Sequence, residues 1–476
     1  MRHIPRSDHG ESPPGRTRRT GWRRLAVLAL APLLALSATA ATAQGVWVTA
    51  PNMPTARTQV ASASAKCPEG LHGKCVYVIG GESGIEGVDV GNKFEAYSPA
   101  SGTWATLPPL KTPRTSIAAT TGPCPSGVKG DCVYAIGGYT PGGSPPLTTV
   151  EAYSTETNAW LTLTPLDVRR GQAAAATAPC PSELGRHGNC VYVFGGADGT
   201  PLTSVEAYNP ATNTWATVDP LQVARNGHGG AAAPCPKGLN LHGICAYAIS
   251  GLGNGLLPSV EVYSPASNTW HYAAEIPTPR ASFGTAAAPC PEGITNGCIY
   301  TVGGTTTAVD PPIVNTVEAY TPATNAWVTL PKLPTARFGL GSAAAHCPKN
   351  KHSECVYAVG GSNGAATSIA EAFAIEGKHD EHKPKPKPKP DAKPEHKPEH
   401  KPEHKPEHKP KPEGKPSTPP HSQPGHQPGN QPTPPNDSPN DLPDPGADLP
   451  LDPPADGPQE PEWSEGPQEP QTDLAS

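Results

Sequence analysis

Trp47, Trp104, Trp160, Trp215, Trp270 and Trp327 stand 57, 56, 55, 55 and 57 residues apart, and Arg57, Arg114, Arg170, Arg225, Arg280 and Arg337 repeat those intervals ten residues later. A fixed period of this length means one structural unit copied six times, and it outranks every other signal in the chain. Within each copy come "VYVIGG" or a close variant, then "EAY" or a variant, then a turn such as "NPATNTW". Each copy therefore reads as four short β-runs, here A to D, joined by turn residues. A is exemplified by "VASASAKC", B by "CVYVIGG", C by "KFEAYS" and D by "TWATLPPL".

Four strands per copy and six copies predict an all-β fold, a six-bladed β-propeller. The Gly pair ending B, the Glu-x-Tyr of C, the Trp opening D and the Arg after D resemble the kelch-repeat family over residues 46–377. The resemblance implies that each Arg and each C-strand Glu is a buried structural partner. Two copies depart from it, with Ser250 in place of the first Gly of the fourth and Phe373 in place of the Tyr of the sixth. Both departures predict local irregularity. The last copy stops after "EAFAIEG" and has no D, whereas "GVWVTAPNMP" near the N-terminus is a D run with no A–C before it. The N-terminal strand is therefore expected to complete the sixth blade and shut the ring, removing an open seam.

All twelve cysteines flank the A–B connections. A hairpin brings such strand ends about 5 Å apart, within disulfide reach. The expected pairs are Cys67–Cys75, Cys124–Cys132, Cys180–Cys190, Cys235–Cys245, Cys290–Cys298 and Cys347–Cys355. Zinc ordinarily wants two to four residues between paired ligands, and here there are seven or nine. His72, His187 and His242 lie in the rings without matching positions. No metal or other cofactor is expected.

Residues 1–43 read as a signal peptide: arginines, the apolar run "LAVLALAPLLALSA", then "ATA" before Gln44. Pro32 interrupts that run, and it is too short to span a bilayer. Residues 44–377 form the propeller, and 378–476 a disordered tail of "KPKPKPKP", four "KPEH" units and an acidic Pro-rich end. Segments 1–43, 378–415 and 416–476 carry +5, +4 and −11 of the total of −6, leaving about −4 on the propeller. A near-neutral core argues against nucleic acid. The expected location is extracellular, soluble or held at a cell wall, with no transmembrane segment in the mature chain. The Lys-rich tail is a candidate contact for an anionic wall polymer. "LPDPG" (442–446) lacks the apolar segment and basic end of a covalent wall anchor, and His396, His400, His404 and His408 form a weak metal-binding pattern.

Alternating strands place A–B rings and C–D turns on one face, and B–C loops and the Arg-bearing D–A loops on the other. The B–C loops vary, so the ligand face is expected there, with Glu82, Ile85, Asp89, Tyr139, Asp198, Leu256, Leu257 and Asp310 as candidate contacts. The function expected is non-catalytic binding of a protein or glycan. The runner-up is a secreted carbohydrate-active enzyme, a sugar oxidase or mutarotase, which the resemblance allows. A copper radical oxidase needs a free cysteine and clustered histidines. All cysteines are committed to rings, and the exceptional His228 and His271 belong to different strands of blade four.

Overall fold

The computed structural model describes residues 45–143, 145–185, 187–291, 297–307 and 312–375; the segments expected to be a leader (1–43) and a tail (378–476), and Asp310, lie outside the described residues. Six antiparallel four-stranded sheets form the six blades. Blade 1 comprises strands A (Ala61–Lys66), B (Lys74–Ile79), C (Phe94–Ser98) and D (Thr103–Thr106), in that order from axis to rim. The D strands are shorter than the sequence pattern implies, because the prolines that follow in four blades cannot extend a ladder.

Burial follows position. B and C of blade 1 are almost wholly buried, and they are rich in Val, Ile, Phe and Tyr. The A strands line an axial channel and carry Ala, Gly, Ser and Thr. Six strands converge there, and a Cβ at Gly230 would stand 2.7 Å from the Ala174 Cβ. Hydrogen bonds stitch each rim to the preceding blade. The indole N–H groups of Trp104, Trp160, Trp215, Trp270 and Trp327 donate to the carbonyls of Pro51, Pro108, Thr164, Asp219 and Ala274.

The N-terminal strand Gly45–Ala50 is D of blade 6, pairing antiparallel with Ala370–Ile375 from Gly45↔Ile375 to Ala50↔Ala370. Trp47 donates to the Pro331 carbonyl of blade 5 at 2.9 Å and packs on Phe373 at 5.4 Å between ring centroids. The ring is thus closed by residues from both ends of the propeller.

The two departures from the repeat have local causes. The C-strand tyrosines Tyr153, Tyr208, Tyr263 and Tyr320 donate to Asn158, Asn213, Asn268 and Asn325, which sit in the C–D turns with positive φ. Blade 6 draws its D strand from the N-terminus and so has no C–D turn. Phe373 therefore has no hydroxyl to satisfy, and it fits rather than disturbs the blade. Ser250 does alter its blade. In blades 1 to 3 the Arg N–H that opens the following blade donates to a B–C loop carbonyl, as from Arg114 to Gly91 and from Arg225 to Leu202. In blade 4 the Ser250 hydroxyl enters this bond, accepting from the Arg280 N–H at 2.9 Å and donating to the Leu257 carbonyl at 2.8 Å.

Some details were not read from sequence. The B–C loops of blades 3 and 4 contain small hairpins, Ala197–Asp198 with Thr200–Pro201 and Leu252–Gly253 with Gly255–Leu256. Strand B of blade 6 runs back into its ring, Asn350–Val359, with a register break at His346/Cys347.

Trp47→Ala should lower stability by about 3 kcal/mol, as for other aromatic truncations; an unchanged urea midpoint would refute ring closure by this strand. Ser250→Ala keeps the positive-φ strain and loses two hydrogen bonds, for an expected cost of about 1–2 kcal/mol. Ser250→Gly relieves the strain, so its urea midpoint should fall less than that of Ser250→Ala.

Candidate functional site

The loop face is built on six buried ion pairs. Arg57, Arg114, Arg170, Arg225, Arg280 and Arg337 are fully buried and meet Glu95, Glu151, Glu206, Glu261, Glu318 and Glu371 at 2.5–3.4 Å. Each guanidinium also donates to backbone; Arg114, for example, bonds the carbonyls of Gly137, Thr149 and Ala135. The carboxylates in turn hold the D–A loop, Glu206 accepting the N–H groups of Asp167 and Val168. Burial is the main influence on the arginines and lowers their pKa values, that of Arg57 to about 10, against the opposing pull of the carboxylates. Arg57 has the poorest shell, its Nε and Nη1 lacking hydrogen bonds. These twelve charges are therefore occupied in holding backbone.

Two concentric sets of side chains follow from that framework. Two residues after each Arg, the backbone turns left-handed at Gln59, Ser116, Gln172, Gly227, Ser282 and Gly339, with φ between 51° and 62°. Hydrogen bonds between consecutive blades link these residues into a belt at the channel mouth, as from Gln172 N–H to the Ser116 carbonyl at 2.9 Å. Outside the belt, the residue after each Arg bridges the first residue after each Gly pair. The bridged loop residues are Glu82, Tyr139, Ala197, Leu252, Thr305 and Ser362. The backbone repeats six times while these six side chains differ.

Between the B–C loops of blades 1 and 2 this arrangement opens into a cleft of about 310 Å³, lined by Glu82, Asp89, Tyr139, Gln59, Ser116 and Gln172 among others. Tyr139 lies over Gly171, where a Cβ would collide with its ring. Its pKa is raised, first by burial and then by Asp198. Partial burial raises the pKa of Glu82. Asp89 accepts the Gly91 N–H at 2.7 Å, and neither Glu82 nor Asp89 has an ion pair among the described residues. Of the other sequence candidates, Ile85 is two-thirds exposed at the loop tip. Asp198 forms an outer ion pair with Arg169 at 2.8 Å. Leu256 and Leu257 belong to the small hairpin region of blade 4, apart from this cleft. Gln59, Ser116 and Gln172 were missed in the sequence; the signal was the fixed offset of two after each repeated Arg.

On the opposite face, the A–B connections carry the disulfides Cys67–Cys75, Cys124–Cys132, Cys180–Cys190, Cys235–Cys245, Cys290–Cys298 and Cys347–Cys355, with Cα separations of 4.8–5.0 Å. No cluster of three or more metal-binding side chains occurs among the described residues.

A profile of the Kelch motif matches residues 70–111, 121–166, 178–222 and 293–334, in blades 1, 2, 3 and 5. This is a kelch-repeat propeller. Mouse and human Kelch-like protein 23 are each 26% identical to it, over 56% of this chain and 41% of theirs. Zebrafish Kelch-like ECH-associated protein 1B is 32% identical over 24% of this chain and 18% of its own. The alignments thus span at most about two fifths of these relatives. A solved structure titled "Structure of YjhT" aligns with a TM-score of 0.47 and 15% identity, covering 67% of this chain and 95% of that one.

One polar side chain stands apart in the kelch propeller. His228 immediately precedes strand A of blade 4 (Gly229–Pro234), where the other blades have Val60, Ile117, Ala173, Phe283 and Leu340. It is 7% exposed and makes no hydrogen bond of ordinary geometry through either ring nitrogen. Burial, then the Arg225 charge, push its pKa well below the usual value, against a smaller opposing pull from the Phe194 backbone. His271 lies on strand D, next to Thr269, and the two histidines form no site. Below pH about 6.5 the unfolded chain takes up a proton that folded His228 refuses, so this contribution to stability is complete above that pH and falls below it, by about 1.4 kcal/mol per pH unit until the lowered pKa is reached. His228→Phe should therefore flatten the acid limb of a Tm-against-pH curve; an unchanged limb would show that His228 does not set it.

Proposed function

We propose that this kelch propeller is an exported, non-catalytic recognition module that holds a glycan or protein ligand in the cleft between the B–C loops of blades 1 and 2. The observation carrying this reading is the cleft itself. An aromatic face, two unpaired carboxylates, two glutamines and several hydroxyls converge there on a backbone fixed by buried ion pairs. Such a set suits a polyhydroxylated ligand, with the Tyr139 ring as platform and amides and carboxylates orienting hydroxyls. A protein would use the same groups to take a basic or amide side chain.

Non-catalytic action is supported by the engagement of the repeated charges in structure and by twelve cysteines with none free. A tyrosine cross-linking radical site would need one. Export is supported by the six rings, since disulfides persist in oxidising compartments. To the stretch 378–415, with its charge of +4, we assign a second contact with anionic wall polymer.

A glycan array and a pull-down with the full mature chain test the reading. Tyr139→Ala, and separately Glu82→Gln with Asp89→Asn, should weaken the ligand so identified about tenfold or more. Tyr272→Ala, at an exposed position on the rim of blade 4, should leave it unchanged. Binding that survives both cleft variants places the ligand elsewhere.

A further inference from the structure

The A–B face repeats one braced ring six times, and one ring holds two lysines where the others hold one or none. That of blade 6, "CPKNKHSEC", brings Lys349, Lys351 and His352 beside Lys74 of blade 1. Together with Pro99 and Ala100 of the blade 1 C–D turn they line a cavity of about 350 Å³. The ring is seated on that turn by the Lys349 N–H, which donates to the Pro99 carbonyl, and is held by Cys347–Cys355. Lys74, Lys349 and Lys351 have no ion pair among the described residues, and the acid of this ring, Glu354, lies 3.1 Å from His346 and does not line the cavity. The seam between blades 1 and 2 shows the alternative: its turn, "STETNAW", supplies Glu156, which pairs with Lys66 at 2.6 Å. The corresponding turn of blade 1, "SPASGTW", has no acid.

We infer that this cavity is a second binding site, for a compact ligand bearing two or more phosphate or sulfate groups. Three ammoniums on flexible stems are suited to tetrahedral oxyanions, each acting as a point charge with several donors. No arginine lines the cavity to clasp a planar carboxylate pairwise. No Phe, Tyr or Trp lines it to offer a nucleobase a broad stacking platform. Its volume matches a small ligand. The disulfide and the Lys349–Pro99 bond hold the ring before the ligand arrives, which reduces the ordering cost of binding. This site is independent of the loop-face cleft and stands whether or not that cleft binds a glycan.

The test is lysine acetylation footprinting of the full mature chain, read by mass spectrometry at single residues, so that lysines of 378–415 do not enter the readout. The probes are inorganic tripolyphosphate and sucrose octasulfate, with citrate as the carboxylate control. At about ten times Kd, tripolyphosphate or the octasulfate should slow acetylation of Lys74, Lys349 and Lys351 about tenfold, as 1 + [L]/Kd requires. Lys237, in the ring of blade 4, should be unaffected. In K349Q/K351Q, Lys74 should lose its protection while the melting temperature stays within about 2 °C, as for exposed substitutions. Whichever probe protects at the lower concentration identifies the oxyanion. Uniform protection of all lysines, protection by citrate at equal strength, no protection at 1 mM, or persistence at Lys74 in the variant would each overturn the inference.

Discussion

Everything on the loop face hangs on a buried arginine paired with a buried glutamate. Removing either member alone would strand a charge in the interior, at a cost of about 3–5 kcal/mol. The pair serves two blades at once. In Arg114 the guanidinium grips strand B and the C-strand Glu151 of blade 2, while its own carbonyl accepts the Gly81 N–H of blade 1. A Cβ on Gly80 would stand 2.3 Å from that same carbonyl, so the Gly pair and the Arg are one device. The left-handed belt at the channel mouth is set two residues further on, and the bridges to Glu82, Tyr139 and their counterparts one.

This device separates frame from specificity. Charge on the frame is internally balanced and unavailable to a ligand, whereas the positions it presents are free to differ: Glu82 and Tyr139 in blades 1 and 2, Ala197 and Leu252 in blades 3 and 4. The opposite face uses a covalent brace to the same end. Its rings stay put while their intervening residues change, from "PEGLHGK" to "PKNKHSE". The propeller thus carries two local sites of opposite charge: carboxylates in the loop-face cleft, lysines around the cavity at the blade 6 ring.

The six-fold period made the architecture legible in the sequence, down to the orphan D strand at Gly45–Ala50, because the repeat is a property of residues that contact each other in every copy. The loop face was legible only as a region. Gln59, Ser116 and Gln172 line the cleft through backbone geometry that the Arg imposes, and sequence marks them by offset rather than by type. Leu256 and Leu257 were legible as members of a variable B–C loop, not as parts of a built element. A short hairpin and the Ser250 bond to the Leu257 carbonyl give that segment a structural role. Phe373 looked like a defect because the sequence does not display that blade 6 has no turn asparagine for a hydroxyl to meet.

Gly45 pairs with Ile375. The first strand of the propeller to leave the ribosome finds its partner only when the last has been made. Closing a loop of some 330 residues costs about 5 kcal/mol in chain entropy by the logarithmic rule, and nothing is returned until the two ends meet. Five blades can each form from local hairpins. The sixth must wait, with a bare sheet edge at Ala370–Ile375 exposed to other chains meanwhile. The interval between synthesis and latching is therefore when this protein is most open to misassembly, and the rings, closing within single hairpins, harden each finished blade before the circle is complete.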